Sequence, residues 1–340
     1  MIDPRRRLVM TGGCGFIASH LVRHLLPRNP SLRLLDDFST GSPQGLPAQQ
    51  QHSGLTVHRG SVLDRDLLRE VLHGAEAVFH LAGNAATRTD AAEGRRAYET
   101  AVEGTRNVLE LSGDVPVVIF SSAVLYPPQG KGAANGSVSS ADALALDGGT
   151  AGYASGKLRA EELGLEAAAR GRPVLIIRPF NVIGPGQRSA AGAVVPIFFR
   201  SALRGEPLRV RAGQARFFTG VTAFADCLLD LVATPEVWLP GDAGGRLLGI
   251  GADTAVPIAD LAAKIVALTG SRSEVVLVPE ASSAPAAAPP RPDGKRLRKL
   301  LGRPVRWPAI DDMLAEIQAA DDLWSPLEIS EPVRSQGTKR

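Results

Sequence analysis

The sequence predicts an α/β fold in which a doubly wound parallel sheet, covered by helices on both faces, is followed by a smaller mixed α/β lobe. Three observations predict it. Short apolar runs alternate with stretches of helical periodicity through the first half of the chain. The first apolar run leads straight into a glycine-rich turn. After about residue 180 the alternation breaks into less regular segments.

The elements follow in order. Leu8-Val9-Met10 is the first strand, and the helix after the turn carries Ile17, Leu21, Val22 and Leu25 on one face before Pro27 ends it. Leu32–Leu35, Leu55–His58 and Ala77–Leu81 are the next three strands. Between the last two, Leu67, Leu68, Val71 and Leu72 recur at helical spacing. A helix around Tyr98–Leu111 precedes the strand Val117–Phe120, and a helix Tyr153–Ala169 precedes Val174–Arg178. Pro127–Gly152, rich in Gly, Ala and Ser, reads as a loop that either borders a site or is a plain surface insertion. The Ala- and Pro-rich stretch Pro279–Pro292 reads as an exposed loop, and the segment beyond Trp324 as a flexible tail.

Composition narrows the function classes. The 340 residues are 44% hydrophobic and 21% charged, ordinary for a globular protein, and the net charge is only +3. The basic runs Arg5–Arg7 and Lys295–Lys299 read as solvated faces, and aromatic residues are too sparse to interleave with them, so no nucleic-acid partner is expected. Cys14 and Cys227 give no disulfide framework, which points to a reducing compartment. The six histidines show no metal-ligand spacing, and no metal is expected. No apolar run suits a signal peptide or a membrane span, so the expected location is cytoplasmic.

Thr11-Gly12-Gly13-Cys14-Gly15-Phe16-Ile17-Ala18 sits between the first strand and the first helix. Gly12 and Gly15 permit a tight turn and close approach to a pyrophosphate, while the helix start offers free N–H groups and positive dipole. Ala18 keeps the helix close to the sheet. Asp36 ends the second strand about 20 residues later, where an acid binds both ribose hydroxyls and repels a 2′-phosphate. The combination predicts a Rossmann-type site for NAD rather than NADP. Asp37 either joins it or caps a turn.

Tyr153 and Lys157 lie four residues apart on one helical face. A lysine ammonium beside a phenol, near a positive nicotinamide ring, lowers the tyrosine pKa toward neutrality and favours the phenolate. That phenolate can take a proton from an alcohol while hydride leaves the same carbon. Ser122, following the strand Val117–Ser121, can hydrogen-bond the same oxygen. Alone, such a Tyr and Lys would be an ordinary helix pair.

With these residues in place, the sequence resembles the extended short-chain dehydrogenase/reductase family, in particular its sugar-nucleotide epimerases and dehydratases such as the UDP-glucose 4-epimerases. The likeness runs through the glycine turn, Leu35-Asp36-Asp37-Phe38 and Val78-Phe79-His80-Leu81-Ala82-Gly83. It continues through Gly104-Thr105-Arg106-Asn107-Val108-Leu109-Glu110, Phe120-Ser121-Ser122, Tyr153-Ala154-Ser155-Gly156-Lys157 and Arg178-Pro179-Phe180-Asn181 up to Gln187. The resemblance implies that Phe16, Ile17, Ser61, Val62, Leu81, Ala82 and Gly83 also line the cofactor, and that Lys157 binds the nicotinamide ribose. Asn181 would contact the diphosphate of a nucleotide-diphosphate sugar, Arg216 would pair with it, and Arg291 is either a second basic contact or a surface arginine. Residues 1–180 would form the NAD-binding domain, with about 216–255 packing back on it. Residues 181–325 would form mainly the substrate lobe and 326–340 the tail, and the active form would be a homodimer.

Dehydratases and decarboxylases of the family place an acid just after the Ser or Thr, whereas Ala123 and Val124 stand here. Tyr126-Pro127 echoes the reductive epimerases, without their cysteine. Epimerisation at C4 through a 4-keto intermediate therefore leads. A dehydratase, decarboxylase or dehydrogenase is the alternative, and a non-catalytic NAD-sensing or scaffold protein the alternative of another class. Ala101, Ser61, Phe217 and the Pro-free approach Gly148–Gly152 depart from the family pattern and point to a specialised substrate.

Overall fold

The computed structural model describes residues 2–3, 6–28, 31–46, 54–83, 91–127, 148–188, 192–238, 246–279 and 289–320. The expected tail, most of the Pro127–Gly152 and Pro279–Pro292 stretches, and Arg5 lie outside the described residues.

The first half contains β1 (Leu8–Thr11), α1 (Phe16–Leu25), β2 (Leu32–Asp36), β3 (Leu55–Arg59), α2 (Arg65–Leu72), β4 (Ala77–His80), α3 (Ala91–Leu111), β5 (Val117–Phe120), α4 (Gly148–Ala169) and β6 (Val174–Pro179). Then come β7 (Val182–Ile183), α5 (Val194–Leu203), β8 (Leu208–Arg211), β9 (Ala215–Phe217), β10 (Thr219–Gly220), α6 (Val221–Ala233) and β11 (Leu247–Ile250). The last elements are β12 (Ala255–Pro257), α7 (Ile258–Leu268), β13 (Val275–Val278), α8 (Gly294–Leu301) and α9 (Ile310–Ala319).

The central sheet has seven strands in the order β11-β6-β5-β4-β1-β2-β3, every pairing parallel. The order reverses between β1 and β4, which leaves a crevice at the carboxyl ends of these strands. Both faces are covered, which explains why the inner strands β1, β4, β5 and β6 are mostly apolar, whereas the edge strand β3 is only partly buried. Leu8 and Met10 of β1 join Leu21, Val22 and Leu25 of α1 and Phe224 and Leu228 of α6 in one core. Val9, between them, faces Leu68 and Val71 of α2, Val108 of α3 and Ala167 of α4 in the other. A separate core, around Phe198, Phe199, Val210, Leu261, Ile265 and Leu314, lies in the C-terminal lobe.

Two expectations are corrected. The helix bearing Tyr153 begins at Gly148, so the glycine-rich run before Tyr153 is helical rather than loop. Close packing explains its composition: a Cβ on Gly152 would lie 2.3 Å from the carbonyl oxygen of Gly94 on α3. The helix read around Tyr98–Leu111 likewise starts earlier, at Ala91. Among the described residues, no helix is long and apolar enough to cross a membrane.

Candidate active site

The glycine turn is built on backbone geometry. Gly12 has φ +65°, and a Cβ there would lie 2.7 Å from the amide nitrogen of Ala82. Any side chain would therefore strain the turn and collide with the end of β4. α1 opens at Gly15 with no side-chain cap, leaving its first-turn amides available to an anion. Asp36, at the end of β2 and buried, accepts hydrogen bonds from the amides of Cys14 and Phe38, both at 2.9 Å. Burial pushes its carboxyl above the usual range, against the pull of these two bonds. Asp37 accepts from the amide and hydroxyl of Ser39, so it caps a turn. Ser61 accepts from the amide of Leu63, and the buried Val62 offers its carbonyl to Asn107.

On the other side of the crevice, His80 ends β4 fully inside the protein. One ring nitrogen meets the Thr11 hydroxyl at 2.7 Å and the other the Thr105 hydroxyl at 3.0 Å. Burial first, then the charge of Lys157, push its pKa down to about 3, so the ring is neutral. Leu81, Ala82 and Gly83 follow, with the amide of Leu81 bound to the carbonyl of Thr11. A main-chain cradle with a carboxylate at one end and an uncapped helix start at its centre fits a dinucleotide.

Tyr153 and Lys157 project from α4, both buried. The Ser122 hydroxyl hydrogen-bonds the Tyr153 phenol and caps the short turn Ala123–Leu125 by accepting from the amide of Val124. Burial holds the phenol above its ordinary value, against the pull of Ser122. The lowered value expected from the sequence includes a positive nicotinamide ring beside the phenol; the protein's own burial acts in the opposite direction. Lys157 donates to the Phe120 carbonyl at 2.6 Å. Its pKa is pushed down to about 8 by burial and held up by Glu161.

Two expected substrate contacts meet at Phe217, and the third is its neighbour in sequence. Asn181 (φ +34°) donates to the carbonyl of Phe217 at 2.9 Å, and Arg291 lies over the Phe217 ring at 5.9 Å. Arg216 is the exposed neighbour of Phe217 on β9. Phe217, at a customary aspartate position, is buried and meets Phe180 edge-on. Ala101 is buried on α3, close to where Gly156 of α4 packs.

The sequence reading missed His80 as a buried link, and it missed Glu161. Glu161 lies one turn beyond Lys157 and forms a bidentate ion pair with Arg178 at 2.7 Å for both bonds, each side chain almost wholly buried. The signal was the 153, 157, 161 spacing, which continues one helical face.

Comparison with known proteins agrees with this geometry. The model of the NAD dependent epimerase/dehydratase family matches residues 8–240. A UDP-N-acetyl-alpha-D-glucosaminuronate decarboxylase of Bacillus cytotoxicus is 33% identical over 288 residues, 81% of this chain and 84% of that protein. A UDP-glucose 4-epimerase of Erwinia amylovora is 31% identical over 195 residues, 54% of this chain and 56% of that protein. The Thermus thermophilus UDP-glucose 4-epimerase structure, solved with NAD, shares the fold with a TM-score of 0.72 at 22% identity, covering 92% of this chain and 99% of that one. The chain is an enzyme of the NAD dependent epimerase/dehydratase family, with NAD as its cofactor.

Proposed function

We propose that the chain epimerises a nucleotide-diphosphate sugar at C4 through a transient 4-keto sugar. One observation carries this reading. Among the described residues, the acid–base equipment around the reacting position is one set, Ser122, Tyr153 and Lys157. Among the described residues no carboxylate perturbs Tyr153, and the turn after Ser122 is Ala123-Val124-Leu125. Epimerisation needs one group that removes and returns one proton on one oxygen. Elimination needs a further base at C5, and decarboxylation needs a proton delivered to carbon.

Ser122 holds the sugar 4-oxygen against Tyr153. The Tyr153 phenolate takes the hydroxyl proton as the ketone forms, with the Lys157 ammonium stabilising the anion. The Gly12–Ile17 turn, Asp36, Ser61, Val62 and Leu81–Gly83 would hold NAD, which would supply a hydride acceptor and a positive charge beside the phenol. Asn181, Arg216 and Arg291 anchor the diphosphate, so the keto sugar can present its other face without leaving. Tyr153 then gives its proton back to the same oxygen.

A second reading has an observation of its own: the relative matched along 84% of its length is a uronate decarboxylase. The same oxidation at C4 places a C6 carboxylate β to a ketone, from which CO2 departs readily. An NMR-monitored screen of UDP-, dTDP- and GDP-sugars, with and without a C6 carboxylate, separates the two. A C4 epimer with C6 retained supports epimerisation. A pentose with released CO2, and no C4 epimer from any sugar, overturns it in favour of decarboxylation. NAD binding without turnover of any sugar would leave a sensing or scaffold protein. Tyr153→Phe with full turnover would remove the base assignment from either reaction.

A further inference from the structure

Arg178 lies on β6 out of reach of solvent. Its side chain is completely buried, and its guanidinium is committed on two sides. On one side it grips Glu161 of α4 through two 2.7 Å bonds. On the other it lies over the ring of Tyr126 at 4.3 Å from the centroid and hydrogen-bonds the Tyr126 hydroxyl. Tyr126 stacks in turn on Phe180 and closes the short turn that Ser122 opens, its amide bound to the carbonyl of Ala123.

We propose that Arg178, with Glu161 and Tyr126, is the positioning centre of the reaction, locking the helix face that bears Tyr153 and Lys157 to the turn that bears Ser122. The inference rests on Tyr153 acting as the base. The Ser122–Tyr153 bond crosses from that turn to α4, so its length depends on how the two segments are clamped. Arg178 is the side chain on β6 that reaches both. A buried pair of this kind contributes geometry more than stability, since apolar replacements of similar volume often fold as well.

Glu161 also bears on the charge of Lys157, one turn away. Among the described residues, the titratable and charged groups around that ammonium are Tyr153 and Glu161 on its own helix, His80 at the end of β4 and Arg178 of β6, which is paired to Glu161. His80 is held neutral, and Glu161 is the described carboxylate that favours the ammonium. Removing that anion makes the phenolate harder to form.

The test is the pH profile of kcat/KM in the NAD-loaded enzyme. Glu161→Gln keeps the shape and some hydrogen bonding, and is expected to move the acid limb upward by about one pH unit, with the KM of the nucleotide sugar unchanged. Tyr126→Leu is expected to lower kcat about ten-fold at constant KM, and Tyr126→Phe, which keeps the ring over Arg178, to recover most of it. Should Glu161→Gln fail to fold, the uncharged pair Glu161→Leu/Arg178→Met, which removes the clamp without leaving a lone buried charge, is expected to lower kcat about ten-fold at constant KM. Folded Glu161→Gln with the wild-type acid limb, or the uncharged pair at wild-type kcat, together with Tyr126→Leu at wild-type kcat, overturns the proposal. Tyr153→Phe is the reference that separates the two ideas. If it stays active, the base reading fails. If it is inactive while the other profiles are unchanged, only the positioning role fails.

Discussion

Lys157 donates a 2.6 Å hydrogen bond to the carbonyl of Phe120, two residues before Ser122, so the helix cation is anchored on the strand that leads to the Ser122 hydroxyl. The bond fixes the ammonium inside the protein, where burial has already pushed its pKa down to about 8. Below that pH the side chain is charged and can stabilise a phenolate; above it the charge is lost. The rate is therefore expected to fall as pH rises through about 8. Lys157→Met is expected to lower kcat about 100-fold or more and to abolish this alkaline limb, which a pH–rate series would show.

His80 makes stability depend on acid. Its pKa is about 3 in the folded protein against 6.5 for an ordinary histidine, so between these values the unfolded chain binds a proton that the native state refuses. Its contribution is present above pH 6.5 and is lost as pH falls toward 3, at up to about 1.4 kcal/mol per pH unit. His80→Asn is expected to cost about 1–3 kcal/mol near pH 8, because a buried threonine loses its partner. It should also flatten the decline below pH 6.5. Denaturant unfolding of both proteins from pH 4 to pH 8 checks both effects.

Gly12 leaves no room for a methyl group. Gly12→Ala is expected to fold with a loss of about 1–3 kcal/mol from the positive φ and the contact with Ala82, and to lose NAD affinity by about 100-fold or more. Calorimetric titration with NAD gives the affinity, and a melting curve without NAD gives the stability.

The convergence on Phe217 separates binding from chemistry. Arg216→Ala and Arg291→Ala are each expected to raise the KM for a nucleotide sugar about ten-fold while leaving kcat near wild type, as befits groups that hold substrate and transition state equally. Steady-state kinetics decides this. A fall in kcat at constant KM would move either arginine to the reacting centre instead.

Much of this was legible because it is local. The six strands of the first half are runs of Val, Ile and Leu bounded by turns, and the strand–turn–helix–strand–acid order places Gly12 and Asp36 without any distant contact. Tyr153 and Lys157 share a face by helical spacing alone. What stayed hidden depends on pairing across the chain. Glu161 reads as one more surface acid on a helix until β6 brings Arg178 against it, 17 residues later. Gly148–Gly152 reads as loop because glycine disfavours helix, and the close approach to Gly94 accounts for the glycine at 152. The burial that raises the Tyr153 pKa was hidden for a related reason: spacing shows a neighbouring charge, whereas burial is a property of the whole fold.

The sheet closes late. β11 arrives some 70 residues after β6 yet pairs with it along Leu247–Ile250, and α6, from the same later stretch, packs on the core beside α1. A ribosome would thus release six strands with one outer flank bare until residue 250 emerges. Nascent chains halted near Pro179 should be sticky, chaperone-bound and unable to retain dinucleotide, whereas those extending past Ile250 should not. Evolution, on this plan, cannot exchange the stretch after β6 as a simple C-terminal appendage, because the chain returns from it to finish the central sheet.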